Sequence, residues 1–227
     1  MDLSRFKSEG GADFEPAPAG VHNAVCYAVI DLGTQEGSYM GKPKIAPKIQ
    51  LRWEIDERRE DGKRFIIVRS YTASMHEKAS LRHHLEAWRG LAFKDADLQP
   101  GGFSMRKLLG AGCQIQIVHN EKEGGGVYGN IAAIMKLGKG MKPLTPEIEP
   151  FMIDLESPQT FDREAYAMLS ETMQLTIAKS PEYQALMGRL KAPAKAANGA
   201  HAPTQKPPVV HTDDLDDEIP FELPRAA

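Results

Sequence analysis

From residue 21 to residue 73 the chain alternates apolar and polar side chains with a period of two, so its first fifty ordered positions have to be strands. The alternation is clearest over residues 44–55. There Ile49, Leu51, Trp53 and Ile55 share one face of an extended strand, and Lys48, Gln50 and Arg52 share the other. Residues 21–32, rich in Val and Ile, form a strand before it, and residues 63–73 form a third after it. Residues 33–41, which include Tyr39, read as a polar turn. Residues 56–62 read as a charged hairpin loop ending in Asp61-Gly62, a strong turn signal.

The period then becomes helical. Ser74 with Glu77 three positions on fits a capping box, Leu81, Leu85 and Trp88 follow at i, i+4 and i+7, and Gly90 stands where a helix C-terminal glycine belongs. Residues 93–102 read as loop and residues 104–109 as a short helical turn stopped by Gly110. Residues 112–120 and 127–137 are the last two strands, joined by Gly124, Gly125 and Gly126. Three strands, a helix and two strands is the order of a five-stranded OB-fold barrel, which carries its helix between strands three and four. The predicted fold is mainly β, and closure of a barrel would remove most free sheet edges.

The remaining chain divides by texture. Residues 1–19 read as a flexible leader and residues 20–142 as the barrel. Residues 143–191 read as a helical extension, with Leu169, Met173 and Ile177 at helical spacing and Ser180-Pro181-Glu182 as a helix start. The prolines Pro143, Pro146 and Pro150 argue against a regular element before it. Residues 192–212 have the composition of a flexible linker, and residues 213–227 form an acidic tail.

Charge follows the same division. The chain totals -3, yet residues 20–142 carry +6 and residues 143–227 carry -7, with -2 in residues 1–19. A basic body favours a polyanionic ligand, and a detached acidic end suits a second partner or an internal competitor for the basic face. The longest apolar run, residues 24–30, is too short to cross a bilayer, and no signal peptide is legible, so a cytoplasmic protein with no membrane partner is expected. Cys26 and Cys113 fall within strands and read as small buried hydrophobes, not as a disulfide scaffold or metal site. His83 and His84 are adjacent on a helix and diverge, so no metal site and no cofactor are expected there. No catalytic constellation stands out, and nothing in the sequence points to an enzyme.

Two stretches carry resemblances. Asp213-Asp214-Leu215-Asp216-Asp217-Glu218-Ile219-Pro220-Phe221 resembles the acidic tip of bacterial single-stranded-DNA-binding proteins, which follows a linker and recruits replication and repair enzymes. In that family the Phe is terminal, whereas here Glu222 to Ala227 continue past it. Residues 25–35, with residues 71–90 around Met75-His76-Glu77-Lys78 and Leu85-Glu86-Ala87-Trp88-Arg89-Gly90, are similar to phage and prophage replication-associated proteins described as single-stranded-DNA-binding OB proteins. A weaker echo lies in Ser180-Pro181-Glu182-Tyr183. The resemblance implies single-stranded DNA as ligand and replication or recombination proteins as partners of Asp213, Asp214, Asp216, Asp217, Glu218, Ile219, Pro220 and Phe221.

The binding residues are argued from physics. Unpaired strands are held by cations along phosphates and by stacking platforms under bases, and an OB barrel presents its strand 2–3 face and neighbouring loops. The candidates are Lys48 and Arg52 on strand two and Arg69 and Tyr71 on strand three. Tyr39, Lys42 and Lys44 lie on the preceding loop, Arg58, Arg59, Lys63 and Arg64 at the hairpin, and Lys122 and Tyr128 at the last turn. Trp53 and Trp88 read as core. RNA is open to the same contacts, homo-oligomer formation is open as well, and the alternative reading is a protein-interaction adaptor of replication or recombination that touches nucleic acid weakly.

Overall fold

A computed structural model describes residues 16–39, 41–121 and 127–191. The leader up to residue 15, Lys122, the three-glycine turn, the linker and the whole acidic tail lie outside the described residues. The elements in chain order are β1 (Gly20–Tyr39), β2 (Lys42–Arg58), β3 (Arg64–Thr72), α1 (Ser80–Arg89), β4 (Gly112–Glu121), β5 (Val127–Lys136), β6 (Phe151–Ile153), α2 (Arg163–Ala167), α3 (Glu171–Ala178) and α4 (Pro181–Lys191). The protein is mainly β, built on one sheet with the order β3-β2-β1-β4-β5, and β6 pairs separately with β1.

The alternation of residues 44–55 sets the core. Leu51, Trp53 and Ile55 are buried almost completely, together with Ala24, Cys26 and Val29 of β1 and Cys113, Ile115 and Ile117 of β4. Leu81, Leu85 and Trp88 close this core from α1, as their spacing predicts. The rings of Trp53 and Trp88 lie 6.0 Å apart, and Trp88 Nε1 donates to Gly112 O at 2.9 Å. Gly90 takes the left-handed conformation, φ 66°, that ends the helix. The start of α1 differs from the expected capping box. Ser74 Oγ accepts from the nearer His76 N at 3.2 Å, and the helix begins only at Ser80, after Ala79, without a side-chain cap. A local turn has taken the serine that a helix would have used.

The expected closed barrel is not what the sheet forms. Among the described residues no backbone ladder joins β3 to β5, and the sheet is open between them. Two things fill that interval instead. The apolar side of α1 packs against both end strands, and the Arg69 side chain of β3 reaches across to donate to Ile131 O of β5 at 2.5 Å.

Residues 33–41 also differ from the expected turn. β1 and β2 continue as a paired arm as far as Tyr39 opposite Lys42, and the tip turns beside Gly41, φ 76°. An arm wetted on both sides needs no apolar face, so its strands leave no alternation to read.

β1 is buried on both faces. A register shift between Cys26 and Ala28 puts one extra residue in β1, so Cys26 faces the inner core while both Tyr27 and Ala28 face outward. Tyr27, Ala28, Ile30 and Leu32 then form a second core with Ile153, Leu155, Ala165, Leu169, Ile177 and Leu186. The extension is therefore packed on the sheet. Its β6, which the prolines had argued against, runs parallel to β1 with Ala28 opposite Phe151, continuing the edge that β4 leaves after Val25 opposite Gly112.

One contact fixes this docking. Thr34 donates to the Glu182 carboxylate through its backbone N at 2.8 Å and its hydroxyl at 2.6 Å. Gly33 has φ 66°, and a Cβ there would lie 2.4 Å from Ser180 Oγ. The separated stretches Leu32-Gly33-Thr34 and Ser180-Pro181-Glu182 are thus two halves of one joint.

Candidate nucleic-acid interface

On the outer face of β2 and β3, Ile66, Val68 and Ser70 of β3 are exposed, whereas on β2 Lys48 and Arg52 are half-buried and Gln50 and Glu54 buried. Cross-strand pairing sets its rows: Lys48 opposite Thr72, Gln50 opposite Ser70, Arg52 opposite Val68 and Glu54 opposite Ile66. Lys48 Nζ donates to Thr72 Oγ1 at 2.8 Å, Gln50 Nε2 to Ser70 Oγ at 3.2 Å and Arg52 Nε to Gln50 Oε1 at 2.8 Å. Arg52 also hydrogen-bonds the Tyr27 phenol, which burial pushes above its ordinary pKa and the guanidinium pulls back. Among the described residues no ion pair engages Lys48 or Arg52, and their partners are neutral groups that leave the charge uncompensated. Beside them Ile66 and Val68 stand 42% and 48% exposed. Two uncompensated cations next to open apolar surface can meet phosphate and base together.

This face has clear borders. On the β1 side it meets the helical extension. At the other end it meets the irregular segment 145–149, where buried Glu54 accepts from Glu147 N and Ile148 N, both at 2.8 Å. Arg64 Nη1 completes that carboxylate at 3.3 Å and donates to Thr145 O at 2.8 Å.

The hairpin cations divide. Arg58 pairs with Glu147 at 2.5 Å and donates to Gly62 O at 2.6 Å, and its guanidinium holds the Glu147 carboxyl below the usual carboxylate range. Arg64, also 3.4 Å from Glu147, is mostly buried. These two hold residues 145–149 in place and are spent on that work. Arg59 lies 3.7 Å from Asp61 at the loop, and Lys63 is exposed.

Strand three places its candidates differently from the expectation of an outward aromatic platform. Phe65 and Tyr71 face inward, 4% and 3% exposed. Tyr71 hydrogen-bonds His84 Nδ1 through its phenol at 2.9 Å, and Arg69 lies 5.3 Å over its ring while donating to β5. Neither side chain is on the β2–β3 outer face. Lys42 and Lys44 lie in β2 rather than in a loop, on the arm whose other strand ends at Tyr39; Lys42 is exposed and Lys44 half-buried. Tyr128, 40% exposed, stands on β5 opposite Asn120, at the other end of the strand order from β3.

Ile66 and Val68 were not among the candidates. Their signal is the unbroken apolar run Phe65-Ile66-Ile67-Val68, in which a half-buried strand would carry polar residues at positions 66 and 68. Both cysteines are buried with free thiols. Burial pushes Cys26 up to about 12, which makes it inert as a nucleophile. No group of three potential metal ligands is gathered among the described residues, and no described helix is long and apolar enough to cross a membrane.

No protein-family model matches the chain, and no curated protein matches it significantly.

Proposed function

We propose that this chain binds single-stranded nucleic acid without sequence preference, in DNA replication or recombination, through the outer face of β2 and β3. The observation that carries the reading is the row of Lys48 and Arg52, uncompensated by any described carboxylate, against exposed Ile66 and Val68. The Lys42 and Lys44 arm would extend the cationic track, and the +6 charge of residues 20–142 would draw a polyanion toward it. The strand order β3-β2-β1-β4-β5 with α1 between β3 and β4 supports an OB-type body in which the β3–β5 seam is bridged by side chains. The acidic tail would recruit replication or recombination proteins, as its resemblance implies.

Fluorescence anisotropy with labelled dT oligonucleotide, the matching RNA and a duplex tests this. Binding to the single strand should exceed that to duplex and weaken steeply with salt, because counterion release dominates such affinity. Equal affinity for duplex, or none in dilute buffer, overturns the reading. An adaptor role draws on Met168 and Leu175, 75% and 55% exposed on the extension. A partner pulldown that survives nuclease, with no oligonucleotide binding, would favour it.

A further inference from the structure

The extension has an aromatic groove that takes no part in the β2–β3 face. Phe161, Tyr166, Tyr183, Met187 and Leu190 line it, with Arg163 beside them, and it holds about 380 Å³, a size within the range of sites for small apolar ligands. Its rings are already set against one another. Tyr166 and Tyr183 stack with centroids 5.2 Å apart, and Phe161 meets them at 5.5 and 6.0 Å. Tyr166 is fixed from behind by donating to Gln174 O at 3.0 Å. The five apolar and aromatic residues are half-buried, so part of the ring surface stays open. Arg163 is exposed, and no hydrogen bond or ion pair engages it among the described residues.

What could cover this surface is given by where the chain goes next. Leu190 lines the groove and α4 ends at Lys191, so the polypeptide continues onward from the groove itself. About 30 residues then separate Lys191 from Phe221. A chain of that length has a root-mean-square reach of about 30 Å, which holds its far end over the groove at an effective concentration on the order of millimolar. That far end carries five acids in residues 213–218, followed by Ile219-Pro220-Phe221. An aromatic and aliphatic tip led by acids is the complement of an aromatic groove with one uncompensated arginine.

We infer that the groove between α2 and α4 is the intramolecular docking site of the chain's own Ile219-Pro220-Phe221 tip, with Arg163 meeting the acids that precede it. Phe221 enters edge-on against the Tyr166–Tyr183 stack, and the acids remain at the solvent-facing margin beside Arg163. Docking sequesters the segment that would otherwise recruit partners, so partner capture and groove occupancy compete. The inference stands whether or not the β2–β3 face binds nucleic acid.

Methyl NMR on the full chain tests it, with Met187 assigned through Met187→Leu. In the unsubstituted protein the Met187 and Leu190 methyls should lie upfield of their positions in Phe221→Ala, from the ring current of the docked phenyl, and the difference should not vary with protein concentration. Arg163→Glu, at an exposed position outside the core, should move the methyls toward the Phe221→Ala positions. A methyl spectrum of Phe221→Ala as dispersed as that of the unsubstituted protein qualifies the variant as the undocked reference. Identical methyl positions in the two proteins overturn the inference. A difference that grows with protein concentration also overturns it, because the groove would then take the tip of another copy.

Discussion

The phenol of Tyr71 is committed to His84 beneath α1, and its ring to the inner core. Tyr71→Phe removes one partly buried hydrogen bond and little volume, so it should lower unfolding free energy by about 1 kcal/mol in urea titration. Its affinity for single-stranded oligonucleotide should stay unchanged, and a weakened affinity would return Tyr71 to the binding surface. Glu182 works in the opposite part of the molecule. Burial pushes its carboxyl up, but the Thr34 hydroxyl and amide, with the backbone N–H of Glu182 itself, outweigh that, and the net displacement is downward. A carboxylate with a depressed folded value stabilises the fold above its unfolded pKa of about 4.3, and that contribution is lost as pH falls through the folded value. Glu182→Gln should therefore cost about 1–2 kcal/mol at pH 7, for a hydrogen-bonded charge partly open to solvent. The gap between the two proteins should close as pH falls through the folded value, and a gap that stays constant on acidification would argue against the linkage.

At the scale of elements, β2 and β3 separate cations that look alike in the sequence. Lys48→Glu and Arg52→Glu should each weaken oligonucleotide binding and lower the salt slope by about 1. Arg58→Ala should leave the slope unchanged, because Glu147 already neutralises that guanidinium. Titration across a salt series distinguishes them, and equal effects from all three would spread the interface to the hairpin. The faces of β2 and α1 were legible because period-two and period-3.6 spacing bury Leu51, Trp53, Leu81 and Leu85 wherever those elements pack. The ion pairs of Arg58 and Arg64 with Glu147 were not, because Glu147 lies more than eighty positions from both. The outward Tyr27 and Ala28 were hidden too, since one extra residue in β1 shifts the alternation without changing its composition. The aromatic groove was not legible, because Phe161 ahead of α2, Tyr166 of α2 and Tyr183 of α4 come together only through packing.

For the molecule as a whole, the extension is part of what keeps the sheet folded. A chain ending at Lys142 would expose Tyr27, Ala28, Ile30 and Leu32, and would strip Glu54 of two backbone donors. Fully burying an Ile or Leu side chain contributes about 1.5–3 kcal/mol, so such a chain should show an early thermal transition and aggregate in a scattering assay. Retention of the full-length midpoint would mean that residues 143–191 form a separate unit. The two-sided burial of β1 carries this further. A strand sandwiched between two cores has no wet side on which to absorb a polar replacement, and neither core can loosen alone without unsettling the other. The molecule is thereby obliged to melt in one step, and the amides of its first strand should be the last to trade their hydrogens with water.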